Sequence, residues 1–275
     1  MVFASKAHML FDDGHHKCMV FSELVKGSGI QANQFLILDG KHGATIDPGG
    51  DLTYAPLTLE IGKHMPVQKL DYIFASHQDP DIIASLGRWM MQTQAKVVVS
   101  KLWSRFLPHL GASYLNDLNG QKLEDRIIPV ADKGSVIELG DSAILILPAH
   151  FLHSVGNLHF YDIKSKILFS GDMGASLVDA SPDQAVDNFE AHIPTMQGFH
   201  ERYMCSRKAC RLWADMVREL DVEMIVPQHG SPFQGKAMVN RFLDWISNLS
   251  CGIDLLGEEN YALTREHKLA LRMQG

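Results

Sequence analysis

No stretch of 18 apolar residues occurs in the 275-residue chain, so no transmembrane helix is expected. The first residues, Met1 to His8, lack the long apolar core of a secretory signal. The four cysteines, Cys18, Cys205, Cys210 and Cys251, are scattered and form no Cys-x-x-Cys pair, which argues against a disulfide framework and a zinc ribbon. A cytoplasmic, reducing location is the resulting expectation. There is no long basic run, and the formal net charge is -7, which argues against a general nucleic-acid binder. No low-complexity linker divides the chain, and 46% hydrophobic content is ample for one large core.

What the chain does have is histidine, 14 of them. Several fall where a strand pattern breaks into a loop. Residues 34–38 (Gln-Phe-Leu-Ile-Leu) read as a strand, 44–46 as its return, and Asp47-Pro48-Gly49-Gly50 as a sharp break. A hydrophobic strand over 70–76 follows, then a helix from Asp81 to about Gln94 with Asp81 as its cap. Lys96 to Ser100 is apolar enough for a strand buried on both faces. The second half repeats the alternation: strand 143–147, a hairpin of 158–162 with 167–169, a helix over about 206–220, a strand 223–227, and helical sequence after about Gly235. Both halves supply candidate ligands, so the reading is one domain of two α/β halves, with two sheets face to face and helices outside.

Strand 70–76 delivers His77-Gln78-Asp79-Pro80-Asp81. Ligand-type side chains at i, i+2 and i+4 point the same way off an extended backbone, and Pro80 stiffens the loop. The bland alternative is a polar turn in which Asp81 caps a helix, a role compatible with metal binding. Asp172 directly follows a strand and is flanked by glycines, so its carboxylate can approach two ions. His229 lies between a strand and Gly230. Segment 149–154 offers His150 and His153, and spacing alone does not choose between them. A set of imidazoles and carboxylates at successive strand ends is what a two-metal site requires.

Other features have plainer readings. His159, within a strand, is expected to hydrogen-bond inside the sheet. The run Asp12-Asp13-Gly14-His15-His16-Lys17-Cys18 reads as an exposed turn between hairpin strands, the alternative being a loop at the mouth of the site with His15 or His16 on a ligand. Arg202, Arg207, Lys208, Arg211 and Arg218 suit a solvated face, and the 13 methionines suit core filling.

The order His-x-Asp-x-Asp, then His, then Gly-Asp, then His-Gly resembles the metallo-β-lactamase fold, an αββα sandwich, over roughly residues 30 to 235. Asp79 stands where most hydrolases of that fold carry a histidine. A carboxylate there is similar to the flavodiiron proteins and their flavodoxin-less relatives, the oxygen-binding diiron proteins. Pro148-Ala149-His150-Phe151-Leu152-His153 resembles that family's Pro-Ala-x-Phe-Leu-His segment and selects His153. The resemblance implies that His77, Asp79 and His153 hold one iron, that Asp81 and His229 hold a second, and that Asp172 bridges them. It implies a non-haem diiron protein that binds or reduces O2, with NO as a related ligand. Three carboxylates, three imidazoles and no thiolate suit iron or manganese, with zinc also admissible.

Two departures from the family pattern matter. Ile82 stands where the family places a further histidine, which leaves positions open on the second metal. A flavodoxin domain is not expected after residue 235, so an electron donor or signalling partner is expected to be a separate molecule; a homodimer is left open, as is the choice between sensor and reductase. The rival reading is a two-metal hydrolase of a phosphodiester, thioester or lactam, against which Asp79 and Ile82 both count. A metal-free binding module requires all six ligand-type residues to be coincidental.

Overall fold

The computed structural model describes residues 7–27, 29–110, 123–177 and 184–273. A seven-stranded sheet comes first in the chain. Its strands are β1 (Ala7–Asp12), β2 (His16–Phe21), β3 (Gln34–Asp39), β4 (His42–Ile46), β5 (Tyr72–Phe74), β6 (Lys96–Ser100) and β7 (Ile127–Val130), lying side by side in that order. Antiparallel pairing runs from β1 to β4 and parallel pairing from β4 to β7. Helices α1 (Asp51–Ile61), α2 (Pro80–Ile83), α3 (Leu86–Gln92) and α4 (Lys101–Ser104) fall between these strands. The second sheet has six strands: β8 (Ser135–Leu139), β9 (Ser142–Pro148), β10 (Leu158–Asp162), β11 (Ile167–Phe169), β12 (Met224–Val226) and β13 (Phe233–Gln234). Helices α5 (Phe189–Tyr203), α6 (Arg207–Arg218), α7 (Lys236–Asn248) and α8 (Arg265–Arg272) complete it.

Strand alternation explains the layers. Val97 and Val99 face one apolar cluster, with Leu36, Ile73 and Trp89, while Val98 faces another, with Phe35 and Phe74. That second cluster is the seam between the sheets, where Phe35 meets Phe169 and Phe74 meets Phe160 with ring centroids 4.8 and 5.1 Å apart. On the outer side of the second sheet, Leu168 and Ile225 pack with Met196, Trp213 and Phe242 from α5–α7. The result is the αββα sandwich expected from the sequence. Among the described residues no helix is long and apolar enough to cross a membrane.

Parallel pairing puts the chemistry on one rim. The C-terminal ends of β4 and β5 lead to Asp47 and His77, and those of the parallel pair β11 and β12 lead to Asp172 and His229. Strand β9 runs the same way as β11, since both are antiparallel to β10, so His153 arrives at the same rim. Backbone hydrogen bonds stitch these loops together: Leu158 N–H donates to Ser76 O (2.9 Å), and Gln228 N–H donates to Gly171 O (2.8 Å).

The opposite rim carries a buried polar clasp between the sheets. His16, paired in register with Asp39, is fully buried; its Nδ1 lies 2.9 Å from Asp39 Oδ1 and its Nε2 2.8 Å from Asp162 Oδ2. Here the sequence reading changes. His15 is exposed, as expected of the turn, but His16 is neither exposed nor at the mouth of the metal rim. The expected helix from Asp81 to Gln94 is also two helices. Pro80 at the first turn starts α2, so Asp79, not Asp81, holds the cap position and Asp81 falls inside the first turn. Ser85 then interrupts, because its hydroxyl donates to Pro48 O and Gly49 O and its N–H to Gly49 O. The strand expected over 70–76 is regular at Tyr72–Phe74, with backbone hydrogen bonds to its neighbours also at Asp71 and Ala75. Helical sequence after Gly235 becomes α7, two short 3-10 turns and α8.

Candidate metal centre

All six residues singled out by the sequence converge on the working rim. His77, Asp79, His153 and Asp172 each present one ligand-type atom, all within 4.8 Å of one another. His153 Nε2 lies 3.1 Å from Asp172 Oδ2 and 3.3 Å from Asp79 Oδ2. His77 Nε2 lies 3.8 Å from each of those oxygens. The other oxygen of Asp172 faces elsewhere: Oδ1 is 3.5 Å from His229 Nε2, which is itself 3.6 Å from Asp81 Oδ2. One carboxylate therefore divides its two oxygens between two ligand groups, the geometry a bridging ligand needs.

The donor set fits a pair of cations. His77 Nε2, His153 Nε2 and Asp172 Oδ1 are buried and make no hydrogen bond. The close approach of His153 to Asp172 lacks the alignment of a hydrogen bond, so burial of these atoms costs free energy that coordination would offset. The far sides of the rings are tied down. His77 Nδ1 is hydrogen-bonded to Ser76 Oγ (2.9 Å). His229 Nδ1 donates to Gln31 O (2.6 Å), which leaves its Nε2 as a lone pair turned toward the centre.

Electrostatics agree. Burial alone would raise the pKa of Asp172, but His153, His77 and His229 around it hold the carboxyl well below the usual range. Contact with His153 lowers Asp79. Burial opposes a proton on His153, yet Asp172 and Asp79 outweigh it and push its pKa up to about 10. Burial lowers His77.

Behind the ligands stands Asp47, which the sequence reading treated only as part of a chain break. Its Oδ1 accepts from Ser76 N–H (2.8 Å) and its Oδ2 from the Gln228 side chain. One carboxylate so pins the residues preceding His77 and His229. Burial, with help from Asp172 and Asp81, raises its pKa to about 7. Nothing in the sequence beyond that break marks Asp47; in the structure its φ is positive (58°), a conformation uncommon outside glycine. Phe199 and Tyr203, stacked at 4.8 Å, present themselves edge-on to His153 and were not foreseen either. Ile82 is buried but belongs to none of the three apolar clusters.

The other histidines sort as follows. His150 turns away: its Nε2 donates to Asp132 O (2.9 Å). His159 accepts from Trp213 Nε1–H (2.9 Å) on α6 rather than bonding within the sheet as expected, and burial drives its pKa down to about 3. Metal analysis of two variants checks the choice in this segment. His150→Ala is expected to keep metal content near wild type, whereas His153→Ala loses about ten- to a hundredfold in metal affinity or more. The reverse pattern would move the ligand to His150.

Comparison with known proteins follows the same lines. A family model described as ODP family beta lactamase matches residues 30–230. A structure titled as the peroxy diiron species of chemotaxis sensor ODP is 38% identical, with a TM-score of 0.80, covering 94% of this chain and 100% of that one. The apo state of chemotaxis sensor ODP from T. denticola gives 38% identity and a TM-score of 0.78 over 93% of this chain and 99% of that one. Rubredoxin oxygen:oxidoreductase from the anaerobe Desulfovibrio gigas shares the fold, with a TM-score of 0.71 at 15% identity over 88% of this chain and 60% of that one. An uncharacterized protein of Methanocaldococcus jannaschii is 23% identical over 80% of this chain and 54% of its own length. The chain spans about half the length of the curated relatives it matches.

Proposed function

The chain belongs to the ODP family of beta-lactamase-fold proteins, and from that premise we propose that it is a non-haem diiron protein that binds O2 and serves as an oxygen sensor. The observation that carries this reading is the division of Asp172 between two ligand groups, together with the buried, unpartnered His77 Nε2, His153 Nε2 and Asp172 Oδ1. His77, Asp79 and His153 would hold one iron, Asp81 and His229 the other, and Asp172 both. A pair of ferrous ions bound there would supply electrons to O2, or take up NO in its place.

The protein's own groups do the rest. Ser76 and Gln31 fix the ring orientations of His77 and His229. Asp47 holds the loops that carry both histidines. Phe199 and Tyr203 stand roughly perpendicular to the His153 ring and bound it on one side. Buried Ile82 is apolar where a further imidazole would crowd the centre, which favours a small neutral ligand over a charged ester. An external donor or a signalling partner would carry the response onward. With the pKa of His153 pushed up to about 10, metal uptake at neutral pH would release a proton.

The test is spectroscopic. Protein loaded anaerobically with ferrous iron, then exposed to air, should develop a new near-ultraviolet or visible band that zinc-loaded protein lacks. A diiron-loaded protein that stays silent in air, yet hydrolyses a phosphodiester or thioester panel, would overturn the reading.

A further inference from the structure

The cysteines, scattered in sequence, are not all scattered in space. Cys210 in α6 and Cys251 just past α7 are 41 positions apart, yet their Sγ atoms lie 3.8 Å from each other. Both are fully buried. Cys205 is partly exposed. It lines a surface cleft of about 410 Å³ together with Gly252 and Ile253, the neighbours of Cys251. Neither sulfur lines the cleft, so a small polar oxidant reaches the pair when the segment 251–253 opens from it.

We propose that Cys210 and Cys251 form a redox-modification site that takes a hydroperoxide and closes to an intramolecular disulfide. In the first step the Cys251 sulfur attacks the peroxide, its O–O bond breaks, and one oxygen leaves as water or alcohol while the other stays on sulfur as a sulfenic acid. In the second step the Cys210 sulfur attacks that sulfur. The S–S bond forms, the S–O bond breaks, and hydroxide departs as water with the proton that Cys210 gives up. Two thiols thus lose two electrons and two hydrogens, and the peroxide takes them up. A sulfur approach of roughly 1.8 Å brings the observed separation to a disulfide bond. The order of attack follows from position: the neighbours of Cys251 line the cleft, whereas Cys210 lies within α6.

The site is wired to the metal rim, and this half of the inference rests on the reading of His153 as a ligand. Gly252 adopts a left-handed conformation (φ 53°), and a Cβ there would collide with the carbonyl oxygens of Met204 and Cys205, so its backbone has no slack. Ile253 N–H donates to Cys205 O (2.8 Å), and Cys205 N–H donates to Phe151 O (3.1 Å). Phe151 is itself left-handed (φ 67°), a strained conformation for a bulky residue, two positions before His153. Drawing Cys251 toward α6 pulls on this series of backbone contacts and shifts the loop that holds His153.

The test oxidises full-length protein, metal-loaded and metal-stripped, with hydrogen peroxide or diamide. Trapped thiols are then mapped by mass spectrometry. The expected result is a peptide pair linked through Cys210 and Cys251, with a loss of two hydrogens' mass, in wild type, Cys18→Ser and Cys205→Ser. Cys210→Ser, Cys210→Ala and Cys251→Ser should lack it. Amide exchange over residues 149–156 should change several-fold on oxidation of wild type and not of Cys210→Ala. No linked peptide, or a link to Cys205, overturns the site; a link without altered exchange overturns the wiring. A link in protein that never binds iron leaves this site standing while the diiron reading falls.

Discussion

Asp172→Ala is expected to empty both halves of the centre at once. The other candidate ligands serve one group each, whereas the two oxygens of Asp172 face His153 and His77 on one side and His229 on the other. Removing it takes a negative charge from a buried position that three imidazoles surround. It also removes a donor from each metal. Wild-type protein prepared anaerobically with ferrous iron should retain about two ions per chain through gel filtration, and the variant close to none. Stabilisation by bound metal should vanish with it, on the order of 3–4 kcal/mol where free metal stands a few hundredfold above the dissociation constant. The checks are elemental analysis and thermal melts with and without iron. A variant that keeps one tight ion would show that Asp172 serves one metal alone.

The second large effect lies at the far rim. His16→Leu is expected to cost about 3–5 kcal/mol, the range for breaking a buried charged pair by removing one partner. Both ring nitrogens of His16 meet carboxylates, and none of the three side chains is more than 2% exposed. Burial works against a charge on His16, but Asp162 and Asp39 outweigh it and raise the pKa above the ordinary 6.5. Asp162 shifts the other way: burial would raise it, yet His16 and Ser165 hold it below 3.8. The two signs differ in consequence. A histidine with a raised folded pKa contributes fully below 6.5 and loses that contribution as pH rises through the folded value. A carboxylate with a lowered folded pKa contributes above 3.8 and loses it as pH falls through the folded value. Urea titrations of wild type should therefore show stability declining on the alkaline side of 6.5, more steeply than in His16→Leu, where the raised pKa of His153 alone remains to contribute. His16→Gln, which can still donate one hydrogen bond, should fall between. Equal alkaline slopes in wild type and His16→Leu would mean that His16 is neutral in the clasp.

These residues also mark the limit of what the sequence discloses. His77, Asp79, Asp81, Asp172 and His229 stood out as candidates because they lie at or just past strand ends, and strand periodicity is local; the choice of His153 over His150 came from the family resemblance, not from spacing. The layers were legible for the same reason, through runs such as Val97–Val99. The clasp was not, because Asp162 lies 146 positions from His16 and only the meeting of the sheets joins them. The thiol pair was hidden likewise, by the packing of α6 against α7. Helix α3 was misplaced because Ser85 answers to carbonyls 36 and 37 residues away, a tertiary demand that overrides local propensity. Helices α1 and α5 carry Pro56 and Pro194 in their interiors, which blurred the apolar periodicity that discloses a helix.

The placement of the clasp has a consequence for how such a molecule can change. What keeps the two sheets in alignment at one end is physically remote from what selects the metal and its ligand at the other. Substitutions among the loops of the working rim can therefore alter chemistry without loosening the clasp. Variation can accumulate at Asp79 or Ile82 while His16, Asp39 and Asp162 stay untouched, so a lineage or an engineer can exchange hydrolysis for gas binding on one unchanged chassis.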